Sequence, residues 1–325
     1  MTSNMKSIVD IFTELGARLG QIPQGVVRQA VEQNGWFCHV DTAMEALCSQ
    51  MLDRAKLEQW LSAYDILPHT PKRVAIIMAG NIPAVGFADL LYVVASGNIP
   101  VVKYSAKDRV LMNYIVEQLQ SIEPQLVIEQ YNEHSQVDAV IATGSDSATL
   151  HFRSIFGDIP ALIRGSRHSV AVLTGSESEQ DMAALSADIF THCGLGCRNV
   201  SLIFAPHDFE LNLRVPDMPQ GYKNNYRHAR ALMSLQGRTF TDCGGALIVE
   251  SGAEFPRSIS CINICRYSDL QQVYSWIADN RNRIQCVVSD GKSVPNSVKF
   301  GQAQIPALND YADDVDVMKF LLSLQ

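Results

Sequence analysis

Two cysteines bracket the glycine-rich stretch Cys193-Gly194-Leu195-Gly196-Cys197, which lies between a helical pattern and the apolar run 200–205. Glycines let a loop take up strained backbone angles and let a substrate approach the main chain closely. A thiol held in such a loop becomes a nucleophile when its pKa is lowered. A free cysteine also packs as a small buried hydrophobe, so the loop alone leaves both roles open. His192, Cys193 and Cys197 lack a fourth ligand at a recognisable spacing. A structural tetrahedral site takes four, and no metal is expected.

The elements that must position this loop follow from periodicity. Ile8, Ile11, Phe12, Leu15 and Leu19 repeat at helical spacing, and a second helix is expected over 42–64 with Asp41 as its cap. Pro68 and Pro71 end this helical region, and the pattern changes at Arg73. Strands are expected at 74–78, 99–102, 125–128 and 139–142, alternating with helices at 83–96, 108–122 and from Asp146. Downstream, a helix at 179–192 leads to the cysteine loop and a strand at 200–204. The segment 207–237 reads as polar and helical, strands follow near 246–249, 262–265 and 285–288, and the tail 310–322 reads as a helix. Such alternation means βαβ units and an α/β fold with doubly wound, mostly parallel sheets. Ligands bind there at the carboxyl ends of strands. The loops 79–83, 103–105 and 143–145 are therefore expected to be functional.

The organisation expected is a helical segment over 1–70, a nucleotide-binding α/β domain over 71–165, a catalytic α/β domain over 166–290 carrying the cysteine loop, and a C-terminal segment over 291–325 that returns to the first domain. The formal charge of −8 argues against nonspecific nucleic-acid binding. The eight cysteines include no Cys-x-x-Cys pair and are too sparse for a disulfide scaffold. The first residues run into an amphipathic pattern rather than a signal peptide, and no run of about 18 apolar residues suggests a membrane span. A reduced, cytoplasmic setting without membrane insertion is expected.

Taken together, the loops resemble the aldehyde dehydrogenase superfamily, most closely its acyl-CoA reductase branch, known from bacterial fatty-acid reductase complexes of bioluminescence. The resemblance runs from about Val74 to Asp290, and the closing Phe300-Gly301-Gln302-Ala303-Gln304 and Asp310-Tyr311-Ala312-Asp313-Asp314 look like that branch too. It implies an aldehyde-dehydrogenase-like fold of two doubly wound α/β domains with an N-terminal helical segment. By this resemblance Gly194-Leu195-Gly196-Cys197 matches the family's Gly-Gln-x-Cys, which makes Cys197 the nucleophile and leaves Cys193 structural. Asn81, in Gly80-Asn81-Ile82-Pro83, matches the asparagine whose amide donates to the developing oxyanion beside the Cys197 N–H; by itself it also reads as a turn asparagine.

The implied cofactor residues are Lys103 and Ser105 after the second strand, Gly144 and Ser145 at the phosphate loop, Gly165 in the turn near the nicotinamide, and Glu254 as the ribose glutamate. Read without the resemblance, Lys103 is a solvated strand-end lysine and 143–145 a capped turn. Ala106 stands where NAD-preferring members carry a glutamate, with Lys107 and Arg109 close by, so NADP(H) is expected and NAD(H) is the alternative. Thr149 replaces a usual phosphate-loop glycine, and Ile163 replaces the glutamate that activates water in hydrolytic members. The implied reaction is NADPH-dependent reduction of an acyl-CoA, or another acyl thioester, to an aldehyde through a cysteine acyl-enzyme. The alternatives are a CoA-independent aldehyde or acyl-phosphate oxidoreductase and an inactive nucleotide-binding relative. A homo-oligomer is compatible with the family.

Overall fold

The computed structural model describes residues 6–324, so the first five residues of the expected 1–70 segment, with most of the signal-peptide reading, and Gln325 lie outside the described residues. The chain forms two compact units: one comprises residues up to Asn34, His39–Ser166 and the chain from Pro306, the other Gly35–Cys38 and Arg167–Ile305.

The first unit begins with α1 (Ile8–Leu19), which buries the predicted stripe Ile11, Phe12, Leu15 and Leu19 and is capped by Ser7 Oγ, accepting from the Asp10 N–H. Helix α2 (Gln24–Gln33) follows. The single helix expected over 42–64 is two: α3 (Val40–Gln50) and α4 (Arg54–Leu61). Asp53 makes the break, its carboxylate accepting from the Lys56 N–H at 3.1 Å as the cap of α4. Asp41 lies inside the first turn of α3, whose cap is His39.

The sheet of this unit is built from β1 (Arg73–Ile77), α5 (Phe87–Ala95), β2 (Ile99–Lys103), α6 (Arg109–Ile122), β3 (Glu129–Gln130), β4 (Ala139–Thr143), α7 (Asp146–Phe156) and β5 (Ala161–Arg164). Its order is β3-β2-β1-β4-β5, all parallel. The strand expected at 125–128 is displaced to 129–130, and Val127 is exposed. The helix expected from Pro83 starts only at Phe87, because Ala84 adopts a left-handed φ of 53°. Helix α5 is apolar nearly all round and almost wholly buried, which marks an internal helix.

The second unit comprises β6 (His168–Val172), α8 (Glu179–Phe190), β7 (Val200–Pro206), α9 (Gln220–Leu235), β8 (Thr241–Asp242), β9 (Leu247–Glu250), β10 (Cys261–Tyr267), α10 (Leu270–Asp279), β11 (Ile284–Ser289) and β12 (Val298–Lys299). The order is β12-β11-β6-β7-β10-β9-β8, parallel except for β8 against β9. Strands β5 and β6, neither expected from the sequence, flank the expected domain boundary at 165/166. Most of 207–237 before α9 is irregular, and only Val317–Leu322 of the tail is α-helical. No described helix is long and apolar enough to cross a membrane.

Candidate active site

In an open parallel sheet the crevice lies where the strand order reverses. In the first unit that point is between β1 and β4, neighbours joined out of sequence order. The loop after β1 carries Asn81, half-buried. Its neighbours are clamped on both sides. Asn34 Nδ2 donates to the Gly80 carbonyl at 3.1 Å, and the Ala84 N–H donates to Asp108 Oδ2 at 2.8 Å. Gly80 has no room for a side chain, since a Cβ there would lie 2.4 Å from Ser105 Oγ. The loops after β1 and β2 are thereby packed together. Asp108 is buried, its Oδ1 has no hydrogen-bond partner among the described residues, and burial pushes its pKa up to about 8.

Lys103, exposed at the end of β2, places Nζ 5.6 Å from the centre of the Tyr131 ring. Ser105 Oγ accepts from the Lys107 N–H at 3.3 Å. Gly144 donates its N–H to the Arg164 carbonyl, and Ser145 caps α7, its Oγ 3.4 Å from the Ala148 N–H. Asp146, in the first turn of α7, accepts from the Ser166 N–H at 2.9 Å, and a Cβ on Gly165 would lie 3.0 Å from the same Oδ1. Thus Gly144, Ser145 and Gly165 belong to one cluster at the ends of β4 and β5. Behind it Arg164 makes a buried bidentate ion pair through Nη1 with Asp89 of α5, at 2.9 and 2.8 Å. Ile163, within β5, is half-buried against the apolar cluster that includes Val140, Ala142 and Phe156.

In the second unit the cysteine loop lies at the amino end of β7. Helix α8 stops at Phe190 rather than 192, and His192, Cys193 and Gly194 take left-handed φ values of 55°, 59° and 70° in succession. Non-glycine residues rarely populate this region, and other groups hold the backbone there. Asn199 is the principal one, buried at 4% exposure. Its Nδ2 faces the carbonyls of Asp188, Ile189 and Thr191 at 3.1, 3.0 and 2.7 Å, the orphan acceptors at the end of α8. Its Oδ1 accepts from the Gly196 N–H at 2.8 Å. One amide thus stitches the end of the helix to the turn before Cys197.

Ser169 Oγ donates to the Cys197 carbonyl at 2.9 Å, and Arg198 Nε donates to the Ala303 carbonyl at 2.5 Å. Asp188, also buried, accepts from the N–H groups of Gly301 and Ala303 at 2.6 and 2.9 Å. Burial raises its pKa to about 6, against the opposing pull of those two N–H groups. The stretch 300–304 therefore braces the cysteine loop from both α8 and Arg198. Cys197 itself is exposed, whereas Cys193 is buried in the core of the unit, its pKa raised by the contact with the Cys38 sulfur and by burial. Glu254 is exposed, and its backbone carbonyl accepts from Asn263 Nδ2 at 2.7 Å.

Asn199, Asp188, Asp108 and Asn34 escaped the sequence reading. For Asp188 there was a signal: an acid between Leu185 and Ile189 on the buried stripe of a helix. Among the described residues no group of three or more His, Cys, Asp or Glu side chains is arranged to hold a metal ion.

No protein-family model matches the chain, and no curated protein does. Solved structures of aldehyde dehydrogenases share its fold. Aldehyde dehydrogenase 21 from Physcomitrella patens, solved with its product succinate, aligns with a TM-score of 0.69 at 10% identity, over 98% of this chain and 83% of that one. A propionaldehyde dehydrogenase from the fucose-utilisation microcompartment of Clostridium phytofermentans aligns at 0.61 and 11% identity, over 96% and 91%. Betaine aldehyde dehydrogenase from Staphylococcus aureus, in complex with NAD+, aligns at 0.61 and 11% identity, over 89% and 71%. The chain thus has an aldehyde-dehydrogenase-like α/β fold.

Proposed function

We propose that the protein is an oxidoreductase of acyl thioesters and aldehydes, and that its reaction is the NADPH-dependent reduction of an acyl-CoA to an aldehyde. The observation that carries this reading is the contrast between the two loop cysteines: Cys197 is exposed on a turn whose flanking backbone is fixed by Asn199, Ser169 and Arg198, whereas Cys193 is core. The fold shared with aldehyde dehydrogenases supports it.

In this reading the Cys197 thiolate attacks the thioester carbonyl. The Asn81 amide and the Cys197 N–H are assigned as donors to the developing oxyanion, each such donor contributing about 3 kcal/mol. The thiol of CoA departs and an acyl group remains on Cys197. Hydrolysis of that acyl group needs a base, and the position that would supply it is Ile163, an apolar residue in an apolar cluster. The acyl-enzyme therefore persists long enough to be reduced.

The residues at the end of β2 fit the cofactor's adenosine ribose and a 2′-phosphate. Lys103, Ala106, Lys107 and Arg109 are all exposed there, with cations and no carboxylate from 103 to 107. Gly144, Ser145 and Gly165 are assigned to the cofactor's phosphate and nicotinamide side, and Glu254 to its second ribose. Asp146 lies at the same helix start, where its carboxylate is engaged by the Ser166 N–H. NADPH would supply the hydride when bound.

The test is Cys197→Ala. Intact-mass measurement after acyl-CoA treatment is expected to show an acyl adduct on the parent protein and none on the variant, with NADPH oxidation lost alongside. An adduct on another residue, or turnover surviving the substitution, would remove this mechanism. Equal turnover with NADH would remove the cofactor assignment alone.

A further inference from the structure

The geometry points to a second thiol site: Cys38 and Cys193 form a dithiol pair that closes to a disulfide by exchange with a small disulfide. The two sulfurs lie 3.2 Å apart. A disulfide bond is about 2.05 Å long, so closure needs a movement of roughly 1.2 Å. Both cysteines belong to the same compact unit, although 155 positions separate them in the chain.

The pair is held in place from both sides. Trp36 anchors the short segment carrying Cys38: its ring packs in the same apolar cluster as Cys193 and Tyr222, and lies so close to Gly221 that a Cβ there would come within 2.7 Å of it. The Trp36 carbonyl accepts from the Cys193 thiol at 3.3 Å. Cys193 is fixed by its left-handed backbone in the turn between α8 and β7.

The two thiols differ in access. Cys38 is exposed and Cys193 is fully buried. Exchange therefore starts at Cys38, as accessibility dictates. Its thiolate attacks one sulfur of the small disulfide, forming a mixed disulfide and releasing one small thiolate. The Cys193 sulfur then attacks the Cys38 sulfur, the Cys38–Cys193 bond forms, and the second small thiolate leaves with the proton that Cys193 gives up. The sum is two protein thiols and one small disulfide going to one protein disulfide and two small thiols. The hydrogen bond with Cys38, together with burial, raises the Cys193 pKa. Cys193 is thus unreactive toward outside reagents and reacts only with a partner already seated at Cys38. The bond would fix the backbone at Cys193, four residues before Cys197.

The experiment uses the full chain carrying Cys197→Ala, so that the exposed Cys197 cannot compete and the outcome is independent of turnover. The protein is treated with oxidised glutathione, remaining thiols are alkylated under denaturing conditions, and non-reducing peptide mapping follows. The expected result is one cross-linked peptide pair joining Cys38 to Cys193, a loss of two alkylatable thiols, and reversal by dithiothreitol. A second variant, Cys38→Ser, changes an exposed position, and in it Cys193 is expected to stay a free thiol. Glutathione retained on Cys38 with Cys193 still alkylatable would overturn the proposal. So would a disulfide between Cys193 and any other cysteine, or no modification of either residue.

Discussion

The substitution that bears most directly on the cysteine loop is at Asn199. Its side chain accepts one N–H, from Gly196, and donates toward three carbonyls at the end of α8, all in a site only 4% exposed. Removing it with Asn199→Ala leaves the half-buried Gly196 N–H without that acceptor and the Ile189 and Thr191 carbonyls without that donor, while the Asp188 carbonyl keeps Gln304 Nε2 at 3.3 Å. Each stranded buried group costs about 1–3 kcal/mol. With water reaching some of them, the loss is on the order of 2–5 kcal/mol.

Asn199→Asp is the sharper test. It keeps the shape and can still accept from Gly196, but sets a carboxylate against three carbonyl oxygens. Ionised, the residue is a buried charge with one donor, the Gly196 N–H, set against three carbonyl acceptors; protonated, it keeps one donor where the amide had two. The aspartate is therefore expected to be less stable than the alanine at pH 8 and to recover part of the difference at pH 5. Urea unfolding followed by the fluorescence of Trp276, in a Trp36→Phe, Trp60→Phe background, measures this. Alkylation of Cys197 by iodoacetamide reports on the loop itself and should change rate in both variants while the fold persists. An aspartate variant as stable as the parent, or unchanged Cys197 alkylation in a destabilised alanine variant, would refute the argument that this amide holds the loop.

The buried acids give pH dependences of a definite sign. Asp188 rises from 3.8 to about 6 on folding. The native state therefore holds its proton more tightly, and the stability this provides is full below pH 4 and lost as pH rises through 6; at about 1.4 kcal/mol per pH unit the change is about 3 kcal/mol. Asp188→Asn should flatten that slope, read again through Trp276. Asp108, raised from 3.8 to about 8, should lose up to about 6 kcal/mol between pH 4 and pH 8 by the same reasoning. Asp108→Asn should remove this dependence, read through Trp60, while its amide oxygen still accepts from Ala84. Arg164→Met leaves the Asp89 carboxylate buried alone and should cost about 3–5 kcal/mol, and adding Asp89→Leu should recover most of it. Thermal unfolding followed at Trp60 tests this, and additive losses would count against a buried ion pair.

The alternation of strands and helices was legible because parallel strands buried on both faces read as continuous apolar runs; 74–78, 99–102, 139–142 and 200–204 all fall on strands with small shifts of their ends. What was not legible depended on single capping residues. Asp53 divides one apolar periodicity into α3 and α4, and nothing in the apolar pattern marks that break. Ala161–Arg164 and His168–Val172 were hidden because the polar block 164–169 takes the end of one strand and the start of the other, leaving only short apolar runs on either side. In the candidate site, sequence reasoning found residues with reactive or glycine-rich neighbourhoods and missed those that act through burial. Asp108 and Asn199 are ordinary polar residues in the sequence and become informative only once their partners, Ala84 and Gly196, are known.

The two candidate catalytic loops share a physical device. Each contains left-handed backbone at a residue with a Cβ: Ala84, three residues after Asn81, and His192 with Cys193 ahead of Cys197. Such conformations cost about 1–3 kcal/mol each and persist only where their surroundings hold them. In the loop after β1 the restraint is a buried side chain from a neighbouring segment, Asp108 accepting from the strained Ala84 itself; in the cysteine loop it is the loop's own last residue, Asn199, buried and joining the end of α8 to Gly196. A loop held by a buried group is fixed for as long as the core behind it is intact, so the geometry around Asn81 and Cys197 is coupled to the stability of its own unit. Core substitutions near Asp108 or Asn199 should therefore lower loop order before they unfold the chain.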